Sequence, residues 1–213
     1  MENALKQALI PLVKKLDKDD DHPYLTYEDV PVLKEIDALL IANKEEDKET
    51  LFVAAVGYRI LADGYATMGR FSVSAAYCFE SIKIMKKSFD LYGERHSEAN
   101  DMLYKLLRDR NYYVDDDCED ALPYLEGLIE REEITKLYEQ RKKSRRMLKH
   151  DPVEMSEAYL KVIDEVERKI DENRTMEGMG SCFEIWGLKE EYLAEKGIYW
   201  RSPALLNPRV RFD

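Results

Sequence analysis

The sequence predicts an all-α protein, and three observations support that fold class. Charged residues make up 36% and hydrophobic residues 45% of the chain, while glycines (9) and prolines (7) are few among the 213 residues. Apolar residues recur at three- and four-residue spacing, which is the period of an amphipathic helix, and no segment convincingly alternates as a strand does. We expect antiparallel helical hairpins with short connectors, forming one domain over residues 1–213.

The first 50 residues are predicted to be a helical pair. One helix covers 3–16, a second starts near Thr26, and a charged connector spans 43–50. Pro11 predicts a kink or a late start of the first helix, because proline lacks the N–H that an interior position donates. The apolar faces comprise Leu5, Leu9, Leu12 and Leu16 in the first helix, and Val32, Leu33, Ile36, Leu39 and Leu40 in the second.

A helical hairpin is predicted over 51–91. Its helices cover 51–68 and 72–91, with Gly69 at the turn and Gly93 after the second helix, where a left-handed residue commonly ends helices. Ser72 is the expected N-cap of the second helix, because serine side chains accept hydrogen bonds from the first free backbone N–H groups.

Residues 97–196 are predicted to form further helical pairs. Helices are expected over 97–110 and 123–148, and a last one over 181–197. Asp151, Pro152 and Glu154 form a start signal for another helix, with the aspartate as cap and proline at its first position. The tail, 197–213, has two prolines and many large apolar residues, so we expect an extended C-terminal strap that packs back on the helices.

Residues 58–71 carry a family resemblance. The segment Tyr58-x-x-Leu61-Ala62-x-x-Tyr65-x-x-x-Gly69-x-Phe71 resembles one tetratricopeptide repeat, and the similarity covers about residues 55–88. No second unit follows at the same period. The resemblance implies hairpins stacked as a tetratricopeptide-like right-handed superhelix or bundle, and a scaffold that binds a protein or peptide.

In such repeats the first helix of each pair lines a concave groove, and the matching positions here are Arg59, Asp63 and Thr67. The resemblance therefore implies a peptide-binding role for these three residues. Spacing alone favours another interpretation, in which Arg59 and Asp63 form a surface ion pair one helical turn apart.

The C-terminal region carries a second resemblance. Residues 178–183, 200–203 and 206–208 look like the tail of an uncharacterised bacterial family. That resemblance implies no mechanism.

Charge and composition restrict the partners. The net charge of −11 disfavours nucleic acid and anionic membranes, and would suit a basic peptide or merely reflect an acidic cytoplasmic protein. Cys78, Cys118 and Cys182 have neither a disulfide-framework nor a zinc spacing, so we expect a reducing cytoplasm. No signal peptide and no apolar run of bilayer length is recognised.

The remaining motifs are weak. Asp17, Asp19, Asp21 and Glu28 match four positions of an EF-hand calcium loop, but His22 replaces the glycine at its sharp turn. The basic run 141–146 has no interleaved aromatic residues, so a solvated helix end explains it better than RNA binding. We expect no catalytic residue, resident metal or cofactor.

Two function classes remain open from the sequence. The favoured one is a non-catalytic scaffold that binds a protein or peptide partner or self-associates. The alternative is a helical-bundle enzyme or small-molecule binder with carboxylates from several helices. Calcium binding through the acidic loop is a minor third hypothesis.

Overall fold

A computed structural model describes residues 3–17, 24–114, 118–143 and 148–212. The all-α prediction is confirmed, since these ranges contain helices and no strand. The α-helices are α1 (Ala4–Lys15), α2 (Val30–Ala42), α3 (Lys48–Thr67), α4 (Phe71–Tyr92), α5 (Ala99–Asn111), α6 (Leu122–Leu125), α7 (Arg131–Lys143), α8 (Glu157–Asn173), α9 (Ser181–Glu195) and α10 (Pro203–Leu206).

The described chain divides into two compact units. The first unit contains α1 to α7, and the second contains Tyr112–Val114 and α8 to α10. A single domain over 1–213 stays a prediction, as do its predicted subdivisions. Each unit has an apolar core of its own.

Helix α1 is a regular amphipathic helix despite its proline. Asn3 caps it by accepting a hydrogen bond from Lys6 N at 2.9 Å, so the predicted late start is wrong. Leu5, Leu9 and Leu12 are buried on one face, whereas Pro11 is exposed. Packing of the leucines holds the helix where proline leaves a hydrogen bond unmade.

The two helices predicted over 51–68 and 72–91 are present as α3 and α4, close to their expected bounds. Gly69 makes the turn at φ +73°, and Gly93 follows α4 at φ +68°. Ser72 is not the cap, because α4 already begins at Phe71, after Arg70. The tetratricopeptide-like stacking stays a prediction.

Helix α2 packs very closely on α3. A Cβ atom added at Gly57 would lie 2.8 Å from Leu40 Cδ2, and one at Gly64 would lie 3.1 Å from both Leu25 Cδ1 and Leu33 Cδ2. These two glycines are two helical turns apart, so they form one smooth strip on α3 that the leucines of α2 occupy.

The predicted long helix over 123–148 is wrong. The chain instead forms the single turn α6, reverses at Gly127 with φ +77°, and resumes as α7. The reversal buries Leu128 and Ile129 in the core with α4 and α5. Burial of these two side chains outweighs the modest helix propensity of the local sequence.

The second unit is a pair of helices with the tail packed on it. Asp151 caps a 3₁₀ turn as predicted, but α8 itself starts after Ser156, which accepts from Tyr159 N at 3.2 Å. The predicted last helix is confirmed by α9. Ile198 and Trp200 of the tail are buried with α8 and α9, and four tail residues form α10.

We predict that Gly127→Ala destabilises the first unit more than Gly93→Ala. Both changes place a side chain at positive φ, which costs about 1–2 kcal/mol. Only the Gly127 change adds a clash, since its Cβ would lie 2.7 Å from Phe89 Cε1, whereas nothing lies within 4 Å at Gly93. Overpacking adds about 1–3 kcal/mol to the loss of unfolding free energy. Urea unfolding followed by far-UV circular dichroism measures it; equal losses would contradict the packing at Gly127.

Candidate functional site

The three predicted peptide-binding residues lie on α3 with their polar groups engaged inside the chain. Arg59 Nε is 3.7 Å from Asp63 Oδ2, so the ion-pair interpretation is confirmed. Asp63 also pairs with Lys105 of α5. The Thr67 hydroxyl donates to the carbonyl oxygen of Gly64 at 2.7 Å. Their role in binding a peptide stays a prediction.

An apolar groove lies between α1 and α3, with a cavity volume of about 390 Å³. We call it the α1–α3 groove. It is lined by Lys6, Leu9, Ile10, Val13 and Lys14 of α1 and by Phe52, Val53, Val56, Gly57 and Ile60 of α3. None of the predicted site residues is among them.

The groove arises because α3 is apolar on more than one face. Residues 51–56 are six consecutive apolar residues. Leu51, Ala54 and Ala55 point into the cores, and Phe52 is 46% exposed. On α1, Ile10 lies beside the buried leucine face and is 38% exposed. The apolar surfaces of the two helices thus meet only partly, and a space lined by apolar side chains remains between them.

Two lysines border this groove. Lys6 is 3.9 Å from Glu49 Oε1, with more than half of each side chain exposed. Lys14 forms no ion pair with any residue in the described part of the chain. The groove therefore combines an apolar surface with a positively charged border, although the whole protein is acidic.

The α3 side of the groove touches an imidazole. The rings of Phe52 and His96 stack at a centroid distance of 5.8 Å and an interplanar angle of 16°. His96 is only 7% exposed, and its backbone carbonyl accepts a hydrogen bond from Ala99 N at the start of α5. This contact packs the Phe52 ring against a buried part of the first unit, and Phe52 also lines the groove.

A buried polar cluster joins α4 and α5. Asp109 is fully buried and accepts hydrogen bonds from Ser74 Oγ at 2.6 Å and from Arg108 Nε at 2.7 Å. Burial raises the pKa of the Asp109 carboxyl, and burial lowers the pKa of neighbouring Lys105. Desolvation is the largest cause of both pKa shifts. The hydrogen bonds that Asp109 accepts are those expected of a buried carboxylate with a structural role.

A second buried carboxylate, Glu154, organises the second unit. It accepts a hydrogen bond from Trp200 Nε1 at 2.7 Å and one from the Tyr113 hydroxyl at 3.3 Å, and His150 Nδ1 lies 3.3 Å away. Burial opposes its ionisation, but the bond with His150 and the positive charge of Lys189 hold the pKa of Glu154 below its usual value.

The neighbouring Asp151 fixes the same part of the tail. Its Oδ2 accepts from Arg201 N and Arg201 Nε, each at 2.9 Å, while Oδ1 accepts from Val153 N at 3.1 Å. Burial alone would raise the pKa of Asp151, but these hydrogen bonds favour the ionised carboxylate more strongly, so the pKa of Asp151 lies below its usual value. The two carboxylates thus anchor Trp200 and Arg201 to the start of the α8 region.

The described residues bear on the predictions about metal sites and cysteines to different extents. Within the described ranges, no three histidine, cysteine, aspartate or glutamate side chains group as a metal site requires. The proposed calcium loop cannot be placed, since residues 18–23 lie outside the described residues, as does 144–146 of the basic run. Cys78, Cys118 and Cys182 are free thiols, which agrees with the expectation of no disulfide framework.

Comparison with known proteins identifies no relative. No protein-family model, curated protein or solved structure matches this chain. None of the described helices combines the length and apolar character needed to cross a bilayer. The function must therefore be inferred from the surfaces of the molecule itself.

We predict that Glu154→Gln weakens the acid sensitivity of the second unit. Because the pKa of Glu154 is lower in the folded state, its stabilisation is present above its usual value of 4.5 and is lost as pH falls through the folded pKa. At neutral pH, the unfolding free energy of the glutamine variant should be about 1–3 kcal/mol lower than that of the wild type. Because the variant has no carboxylate to protonate at this position, its unfolding free energy should fall less than the wild type's as the pH is lowered.

Tryptophan fluorescence suits this measurement, because both tryptophans, Trp186 and Trp200, belong to the second unit. Glu157→Gln is the matched control, since the Glu157 side chain is 90% exposed on the neighbouring helix α8. Identical dependence of the unfolding free energy on pH for the wild type and Glu154→Gln would contradict a stabilising role of the ionised Glu154 side chain.

Proposed function

We propose that this protein is a non-catalytic scaffold that binds an amphipathic helix of a protein partner in the α1–α3 groove. The observation that carries the proposal is the groove itself, an apolar surface between two helices that stays open to solvent. Exposed contiguous apolar surfaces commonly mark interaction sites. An amphipathic helix placed in a groove buries such a surface without needing polar groups inside it.

The dimensions suit a short helix. The lining residues run from Lys6 to Lys14 on α1 and from Phe52 to Ile60 on α3, which is nine residues, or eight steps along the axis, on each helix. At a rise of about 1.5 Å per residue, the groove is about 12 Å long. An occupant with apolar side chains at positions i, i+4 and i+7 spans about the same length.

The alternative of an enzyme or small-molecule binder has less support. Small-molecule sites generally place a few convergent polar groups among apolar walls, and the lysines at the border are the polar side chains among the residues lining this groove. The buried carboxylates Asp109 and Glu154 lie on other elements and are held by partners within the chain. Their hydrogen bonds match structural roles.

We further propose stacked hairpins, with α1, α3 and α5 in one layer and α2, α4 and α7 in the other. Three kinds of contact support this order. Helix α3 contacts α1 directly, Asp63 of α3 pairs with Lys105 of α5, and Phe52 of α3 stacks on His96, which lies shortly before α5. A hydrogen bond links Asp37 of α2 to Tyr77 of α4. Arg59, Asp63 and Thr67 would then extend the groove along α3.

We predict that Ile10→Asp weakens binding of an amphipathic probe helix about tenfold or more, because the occupant would have to displace water from a charged carboxylate instead of packing on an apolar side chain. The probe is a fluorescein-labelled neutral peptide with a leucine stripe on an alanine and glutamine background. Fluorescence anisotropy gives its dissociation constant.

Ile41→Asp is the matched control, since Ile41 is 60% exposed on α2 and does not line the groove. Absence of saturable binding by the wild type would overturn the proposed function. Equal weakening by both variants would place the binding surface elsewhere. Dimerisation that Ile10→Asp abolishes would identify a second copy as the occupant.

A further inference from the structure

We infer that the α1–α3 groove selects an acidic amphipathic helix, with two carboxylates seven or eight residues apart at the two ends of its apolar stripe. This inference rests on the proposed function and adds the chemistry of the partner. It follows from the position of Lys6 and Lys14, from the ionic contacts that each makes, and from the shape of the surface between them.

The two lysines are placed in register with the groove. Lys6, Ile10 and Lys14 stand at positions i, i+4 and i+8 of α1, so the three side chains lie along one side of the helix. The lysine Cα atoms are about 12 Å apart, with an exposed apolar residue midway between them. A helix lying along α1 with the same spacing presents one side chain to each lysine and an apolar one to Ile10.

Both positive charges are available to a partner. Lys14 forms no ion pair with any residue of the described ranges. Lys6 has only the long contact to Glu49 at 3.9 Å, and both of these side chains remain more than half exposed. Exposed pairs of this kind contribute little, so an incoming carboxylate can replace Glu49 at small cost.

Carboxylates are therefore the charges that this groove favours. A partner with lysines at those positions would place like charges together, which disfavours the wrong partner more strongly than a new pair favours the right one. The protein as a whole is acidic, with a net charge of −11. That total would suit a basic peptide or merely reflect an acidic protein, whereas the local charge at the groove predicts an acidic partner.

The spacing of the two lysines favours a helix over an anionic lipid as the occupant of the groove. A single-chain carboxylate lipid carries one charged group at one end of its apolar chain. It would pair with Lys6 or with Lys14 and leave the other without a partner. A helix with two carboxylates pairs with both lysines and covers the apolar surface between them, so the helix is the occupant that the groove matches.

The first experiment compares three labelled peptides with the same leucine stripe and glutamate, glutamine or lysine at the two flanking positions. We expect the glutamate peptide to bind the full-length protein about three- to tenfold more tightly than the glutamine peptide, and the lysine peptide to bind most weakly. The difference should shrink as salt is added, because exposed charge pairs are screened.

The second experiment reverses one charge of the border. Lys14→Glu should abolish the preference for the glutamate peptide while leaving the glutamine peptide bound. Lys15→Glu is the matched control, since Lys15 is the adjacent exposed lysine of α1 and does not line the groove. The control should retain the wild-type order of affinities.

The outcomes separate this inference from the proposed function. Equal binding of all three peptides, weakened by Ile10→Asp, would overturn the charge selection and keep the groove as a helix-binding site. Failure of all three peptides would overturn both. Saturable binding of dodecanoate or of anionic vesicles that depends on Lys14, with no binding of the glutamate peptide, would overturn the helix and identify a lipid instead.

Discussion

The burial of α3 is the interaction on which the first unit depends. Helix α3 packs against α1, α2 and α4, and its residues contribute to both apolar cores of this unit. Gly57 and Gly64 let the leucines of α2 approach its backbone. Its consecutive apolar residues then leave more hydrophobic surface than these neighbours cover. The apolar groove beside α1 is thus a consequence of the composition that makes α3 the centre of the fold.

The second unit depends on hydrogen bonds to buried carboxylates as well as on apolar packing. Its helices bury an apolar face between α8 and α9, but the tail is oriented by two buried carboxylates. Glu154 accepts from the Trp200 indole, and Asp151 accepts from the backbone and guanidinium of Arg201. Removing one partner of such a buried group costs more than the bond is worth, because the other partner stays buried and unsatisfied. These bonds explain why a tail without long helices packs in one place.

The elements that the sequence predicts well are those with a strong local signal. Periodic leucines predict α1, and glycines at positive φ predict the ends of the α3–α4 hairpin. The break at Gly127 has no such signal, since one glycine in a helical pattern costs only about 1 kcal/mol and the burial of Leu128 and Ile129 decides the outcome. The groove was missed for a related reason. Ile10 and Val56 look like core residues in the sequence, and only the relative placement of α1 and α3 leaves them at a surface.

We propose the solvent-exposed side of α3 next to α1 as the binding surface. Methyl-resolved NMR of isoleucine- and valine-labelled protein, titrated with the glutamate peptide, tests it most directly. We expect shifts of the Ile10, Val53, Val56 and Ile60 methyl signals, with Ile41 and the isoleucines of the second unit unchanged. Shifts confined to the second unit, or no shift at any methyl group lining the groove, would contradict it.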